Sequence, residues 1–321
     1  MISWSRLWGG PAALAPTVAT KKARYRRFGL ARGQNLPVAE LHLRVACDKP
    51  CCRPFLVSSA AEIAPFGRPG TNPIARLFRP TAAATDLSAF ATPDAYFRAV
   101  SKETAGKYNR SANKGRRAGY VTTLTGPDAH ALSLHEIRAS IKVRSRGPVK
   151  EAFAAPPAGL FDTDAPFPPP ACDEHWRADF ALFKDGDVRR SKALAVLRRC
   201  GDFVLVLHMI GHADILAVGG MKLLQFDIMD WLLRRDVGMT KGIRWLVHGA
   251  IEDGNAGLAD WRRYVRQCPV WLGYDLPDEA KFPADFDPAR YLDMHPGVRA
   301  AGVDPRAHYI AHGMIQGFDY K

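Results

Sequence analysis

Between Phe203 and Tyr264 the sequence holds several side chains able to exchange protons near neutral pH. His208 and His212 close an apolar run, with Asp214 just beyond. His248 and Glu252 follow the next apolar run, and Tyr264 lies on the helical stretch after it. Histidine, carboxylate and phenol in such positions suit general acid–base work. A histidine in a buried strand is more often a satisfied core residue, so each is one candidate among several. Val218-Gly219-Gly220-Met221-Lys222 offers a different chemistry. Free backbone N–H groups at a helix start, beside small residues, can hold a phosphate. A plain connection with a flexible turn is the competing reading of so short a motif. A third group is purely electrostatic. Lys107, Arg110, Lys114 and Arg117 recur at helical spacing and line one face of a helix. That face is a rim for an anionic ligand or simply a solvated surface.

These residues need elements to position them. Phe203–Leu207 is an unbroken apolar run, as expected for a strand buried on both faces. Met221, Leu224, Ile228, Trp231 and Leu232 then recur at helical spacing. Ile243–Val247 reads as a strand, Leu258–Gln267 as a helix and Val270–Leu272 as a last strand. Upstream, Leu41–Val45 and Phe55–Val57 read as short strands, Ala61–Thr92 as a long connection and Pro93–Val100 as a helix. Ser101 can start the basic helix, and Gly119 can stop it. Tyr120–Leu124 is strand-like, Leu132–Arg146 helical and the proline-rich Val149–Pro170 a loop. Trp176–Phe183 and Ala193–Leu197 flank a KDGD hairpin turn. The order is mixed α/β, an α+β chain with one twisted, largely antiparallel sheet and helices on its faces.

The chain has 321 residues, 47% of them apolar, enough for a sizeable core. Its net charge of +13 is local. Residues 1–50 contribute +7 and residues 101–150 contribute +8, so the remainder is slightly acidic. Two basic segments on a near-neutral body suit anionic partners. Met1–Asn35 has no acidic residue and no period, and reads as a flexible basic arm. No apolar run has the length of a membrane span, and the start is a poor signal peptide, so a cytoplasmic protein is expected. Six cysteines do not make a disulfide framework in a chain of this length. Cys47, Cys51 and Cys52 match no common zinc spacing, while Cys172, Cys200 and Cys268 stand apart. Reduced structural thiols and no metal site are expected. The Walker loop, GxSxG, HExxH and EF-hand patterns do not occur.

The order strand, Gly turn, helix, strand, loop, helix, strand from Phe203 to Leu272 resembles the cofactor-binding half of the GNAT superfamily. More narrowly it resembles the FemAB-like bacterial N-acyltransferases. SKETAGKYNRSANKGRRAGY is similar to the basic stretch that precedes the catalytic half there, MKLLQFDIMDWLLRR to its central helix, and NAGLADWRR to its closing element. AVGG stands where acetyl-CoA binders carry Arg/Gln-x-x-Gly-x-Gly/Ala. The resemblance thus implies an acyl donor that is an acyl-CoA, an acyl-carrier protein or an aminoacyl-tRNA. It also implies an amine acceptor, with Tyr264 protonating the leaving group where adjacent strands splay. A second stretch, FDPARYLDMHPGVRAAGVDPRAHYIAHGMIQGFDY, resembles a short motif at the ends of bacterial proteins tied to surface polysaccharides. That points to an amino sugar as acceptor. His308 and His312 there are at i, i+4 and more readily close a small helix pair than hold a metal. The organisation expected is a basic arm over 1–40, a GNAT-like domain over 41–280 and a small helical module over 281–321. A non-catalytic protein that binds an anionic polymer or protein partner through its basic segments is the alternative.

Overall fold

The computed structural model describes Tyr25, Phe28 and residues 36–47, 52–68, 80–125, 131–144, 147–148, 172–184, 186–235, 238–275, 285–309 and 319–320. Most of the expected arm and the whole of the expected loop 149–170 lie outside these residues.

Ten strands form among them: β1 (Val38–His42), β2 (Ala82–Asp86), β3 (Tyr120–Thr125), β4 (Val143–Arg144), β5 (Gly147–Pro148), β6 (His175–Lys184), β7 (Ala193–Cys200), β8 (Phe203–Gly211), β9 (Trp245–Ala250) and β10 (Cys268–Asp275). Eight build one sheet in the order β1-β10-β2-β9-β8-β7-β6-β3, and β4-β5 is a separate small hairpin. Only β1–β10 and β8–β9 are parallel; the other neighbours are antiparallel. The fold class is therefore mixed α/β, a largely antiparallel sheet flanked by helices.

One face is covered by α2 (Pro93–Glu103), α3 (Lys107–Arg117) and α6 (Gly220–Arg234), with the short α5 (Ala213–Val218) and α7 (Ala256–Tyr264) beside them. Tyr96, Tyr108, Leu223, Phe226, Ile228 and Leu232 meet Phe180, Leu197 and Val204 of the sheet in one core. The other face carries α1 (Arg53–Ile63), α4 (Ala131–Ala139) and three short C-terminal helices, α8 (Pro288–Met294), α9 (Pro296–Ala300) and α10 (Pro305–His308). There Leu56, Ile63, Phe203, Val247, Tyr291 and Tyr309 share a second core, and Ile137 caps a third small one with Phe183. Burial of a side chain of this size contributes on the order of 2 kcal/mol. No helix among the described residues is long and apolar enough to cross a membrane.

Several expectations need correction. Phe55–Val57 is not a strand. Phe55, Leu56, Ser59, Ala60 and Ile63 are buried at helical spacing, and the apolar trio is the first turn of α1. The connection 61–92 contains β2, a central strand whose Ala82, Ala83 and Ala84 are buried between β10 and β9. The helix expected over Leu132–Arg146 stops at Ala139 and yields to the β4-β5 hairpin. Helix α3 starts at Lys107 rather than Ser101, because Ala105 (φ 47°) and Gly106 (φ 72°) turn the chain between α2 and α3. Tyr25 falls in the expected arm, yet its hydroxyl meets Thr81 Oγ1 at 2.9 Å and Glu252 Oε1 at 3.1 Å.

Candidate functional site

Strands β8 and β9 run parallel and pair only from Phe203–Leu205 to Trp245–Val247. Beyond that, β8 keeps pairing with β7, and β9 with β2. Each carries an extra residue just past the divergence. Leu207 bulges between the Leu197–Val206 and Val196–His208 pairs, and Gly249 bulges opposite β2. Bulges bend a strand and raise its twist, so two of them here drive the strands apart. His248 is buried beside the gap, with its ring 5.6 Å from that of Trp261 in an edge contact.

Trp261 leads from the gap to a cavity. Its Nε1 donates to the Tyr108 hydroxyl at 2.7 Å. Tyr108, the α2–α3 turn from Lys102 onward, Lys222 of α6, and Arg263 and Tyr264 of α7 line an open cavity of about 460 Å³. The surrounding elements are well fixed. Thr92 caps α2 by accepting from Ala95 N at 3.2 Å, and Asn255 caps α7 by accepting from Leu258 N at 3.1 Å. The buried Arg262 donates to the carbonyls of Ile251 and Asp253 at 2.8 and 3.0 Å, tying α7 to the loop after β9.

The cavity is electropositive. Among the described residues that line it Glu103 is the one carboxylate, and Arg263 (3.5 Å) and Arg266 (3.4 Å) flank it. Lys102, Lys107 and Lys222 remain in excess. Lys222 Nζ donates to Ser111 Oγ at 3.0 Å and stands 5.5 Å over the Tyr108 ring. Burial lowers its pKa. Burial, with some help from Tyr96, raises that of Tyr108, which stays neutral. The Arg263 guanidinium lies 5.0 Å over the Tyr264 ring. Such a cavity can bind a phosphate or carboxylate and present a phenol to it.

The residues expected from sequence distribute unevenly. Lys107, Lys222 and Tyr264, expected in three different roles, meet in this one cavity. Lys114 instead donates to the Ala217 carbonyl at 3.2 Å and caps the end of α5. Arg110 and Arg117 are exposed along α3. Gly219 and Gly220 are both buried. The Gly219 N–H turns back to the carbonyls of Ile215 and Leu216, and a Cβ there would lie 2.2 Å from the Ser111 carbonyl oxygen. A Cβ on Gly220 would lie 2.8 Å from that of Ile215. Gly219 thus allows the turn before α6 to approach α3 closely, and Gly220 lets the start of α6 pack against Ile215 of α5 and Leu182 of β6. Val218 and Met221 are half-buried in the same core.

His212 caps α5, with its Nδ1 3.2 Å from Asp214 N. Glu252 is buried and accepts from Thr81 N (3.0 Å), Thr81 Oγ1 (2.6 Å) and the Tyr25 hydroxyl. His208 pairs across from Val196, whose neighbours Ala195 and Leu197 face the α2–α3–α6 core. Its exposed side chain therefore emerges on the opposite face from His248. Lys102, Tyr108, Trp261 and Arg263 escaped the sequence reading, although the basic composition around 101–120 was the available signal. In the C-terminal module, His308 Nδ1 meets the Tyr291 hydroxyl at 2.9 Å; His312 lies outside the described residues.

Neither a protein-family model nor a curated protein matches the sequence. Some solved structures are similar in part. A C-terminal DUF2156 domain from Agrobacterium fabrum, ascribed to a lysylphosphatidylglycerol synthetase, is 18% identical over 52% of this chain and 45% of its own, at a TM-score of 0.32. A tandem GNAT protein from the clavulanic acid biosynthesis pathway is 14% identical over 59% of this chain and 50% of its own, at 0.37. A GCN5-related N-acetyltransferase from Kribbella flavida is 13% identical over 59% of this chain and 54% of its own, at 0.33. The chain spans about half the length of the solved chains it matches. At these scores the likeness carries no weight for fold or chemistry.

Proposed function

We propose that the chain is an N-acyltransferase that takes an acyl group from a phosphate-bearing donor and passes it to an amine. The observation that carries this reading is the divergence of β8 from β9 beside a cationic cavity that contains Tyr264. The donor's phosphate groups bind Lys102, Lys107 and Lys222, and its acyl end reaches toward the gap between the strands. A neutral amine attacks the thioester or ester carbonyl and forms a tetrahedral adduct. Collapse of that adduct breaks the bond to the leaving thiolate or alkoxide, which takes the Tyr264 hydroxyl proton. The amine's surplus proton passes to solvent. His248 is on the cavity side of the sheet and is the candidate for orienting the acceptor. His208, His212 and Glu252 are assigned no step. Acyl-CoA is the first donor to test, followed by an acyl-carrier protein and an aminoacyl-tRNA; an amino sugar of a surface polysaccharide is the finer proposal for the acceptor. The FemAB-like affinity and a cytoplasmic setting belong to the same proposal.

The packed glycine pair favours a second reading, in which the chain binds an anionic polymer without catalysis. Calorimetric titration with acetyl-CoA, a longer acyl-CoA and aminoacyl-tRNA separates the two. An acyltransferase binds one donor, and Tyr264→Phe lowers turnover by about 10²-fold or more with little change in Tm. Binding of tRNA or another polyanion in the absence of any transfer would favour the second reading.

A further inference from the structure

Residues from two distant parts of the sequence meet at the start of β6. The chain leaving β1 brings Cys47, the N-cap of α1 brings Cys52, and the approach to β6 brings Cys172 and His175. Cys47 Sγ is 3.4 Å from Cys52 Sγ, which is 3.2 Å from Cys172 Sγ. Cys172 Sγ is 3.3 Å from His175 Nδ1. All four atoms lie within 4.8 Å of one another, and three of the four residues are buried. Donors on a tetrahedral zinc at about 2.3 Å stand about 3.8 Å apart, so the three close pairs at 3.2–3.4 Å need to open by roughly half an ångström.

The surroundings fix the donors. His175 Nε2 lies 3.0 Å from the Leu43 carbonyl oxygen. A carbonyl only accepts, so that nitrogen carries the proton and the Nδ1 lone pair faces the sulfurs. A metal-bound histidine is commonly oriented by just such a contact. The Glu174 carboxylate accepts from the backbone N–H groups of Val45 (3.2 Å), Ala46 (2.9 Å) and Cys47 (3.0 Å), which holds the segment that presents Cys47. Thiols alone gain little from such crowding, since S–H is a weak donor and sulfur a weak acceptor.

We propose that Cys47, Cys52, Cys172 and His175 hold one structural zinc ion. Three thiolates and an imidazole form a soft set that suits zinc and not magnesium or calcium. On binding, each thiol loses its proton to solvent and a sulfur–zinc bond forms; no electron moves. Four protein ligands close the coordination sphere, so the ion would pin the segment after β1, the start of α1 and β6 together instead of meeting substrate. This departs from the expectation of reduced structural thiols, and it is independent of the proposed acyl transfer.

The test uses the full chain purified under reducing conditions from zinc-supplemented medium. Elemental analysis should find one zinc per chain, and Cys268→Ser, at an exposed cysteine, should leave that ratio unchanged. Cys172→Ser and His175→Ala should lower it. Should these variants fail to fold, cobalt titration of the reduced, metal-stripped wild type decides, because it should yield the absorption of a tetrahedral S₃N site. Chelation should lower Tm by more than about 10 °C. A reduced chain that takes up neither zinc nor cobalt overturns the proposal. So does a disulfide between Cys47 and Cys52, or between Cys52 and Cys172, in protein whose thiols were blocked at lysis.

Discussion

The two faces of the sheet treat polar groups in opposite ways. On the face of α2, α3 and α6, Lys102, Lys107 and Lys222 surround an open cavity with few acidic partners. On the other face, polar groups close on one another: Cys47 to Cys172 and His175, Glu174 to three backbone amides, Tyr291 to His308. The comparison separates two uses of polar groups. Satisfied groups hold distant segments together, and groups facing a cavity are left for a ligand.

The largest expected effect tests whether the cavity face depends on close packing. Gly219 has φ 81°, and a side chain there would meet the Ser111 backbone. Gly219→Val should cost more than about 3 kcal/mol in urea unfolding, from strain and collision together. A fully stable variant would mean that α3 does not seal the turn, and the cavity face would be looser than described.

The next effect belongs to the closed face. Burial raises the Glu62 carboxyl to about 7 from an ordinary 4.5, although the Arg198 guanidinium opposes this. The folded chain then keeps a proton that the unfolded chain has already released above pH 4.5. Stability should therefore fall, by roughly 2 kcal/mol, as pH rises from 4.5 to 7. Glu62→Gln should flatten that slope in thermal melts taken across the same range.

Smaller still is the contribution of one cavity cation. Lys222→Met retains the stem and removes the charge, so affinity for inorganic pyrophosphate should drop about tenfold, or about 1.4 kcal/mol, in calorimetry at low salt. Unchanged affinity would remove Lys222 from the anion site. The smallest effect is expected on the outer surface of the cavity face, between α3 and α6. Arg116 pairs with Asp227 at 2.7 Å, but the two side chains are 47% and 27% exposed. Arg116→Ala should change unfolding free energy by less than about 1 kcal/mol.

The sequence was readable where a signal was local. The apolar run of β8 and the helical period of α6 matched their elements, β6 and β7 pair as the expected hairpin, and the basic residues from Lys107 to Arg117 fall on α3. Two elements were hidden by their own chemistry. Ala82–Ala84 has no β-branched or aromatic residue, so this buried central strand carries little strand signal in its composition. Phe55-Leu56-Val57 looked like a strand because the apolar trio begins a helix whose spacing emerges only later, at Ser59, Ala60 and Ile63. The cavity was half legible, since its cations could be seen but not that α3, α6 and α7 converge. The thiol cluster was illegible from spacing, because over a hundred residues separate Cys52 from Cys172 and only the fold joins them.

The early end of the β8–β9 pairing creates an edge inside a sheet. Among the described residues the β8–β9 ladder ends at the Leu205–Val247 pair. Most proteins confine unpaired strand backbone to the rim, where it risks uncontrolled pairing with other chains. Here the flanking strands β7 and β2 stand on either side of it. Hydrogen exchange should record the change along one strand. The gap-facing amides after Leu205 should lose deuterium protection well before those of the paired half.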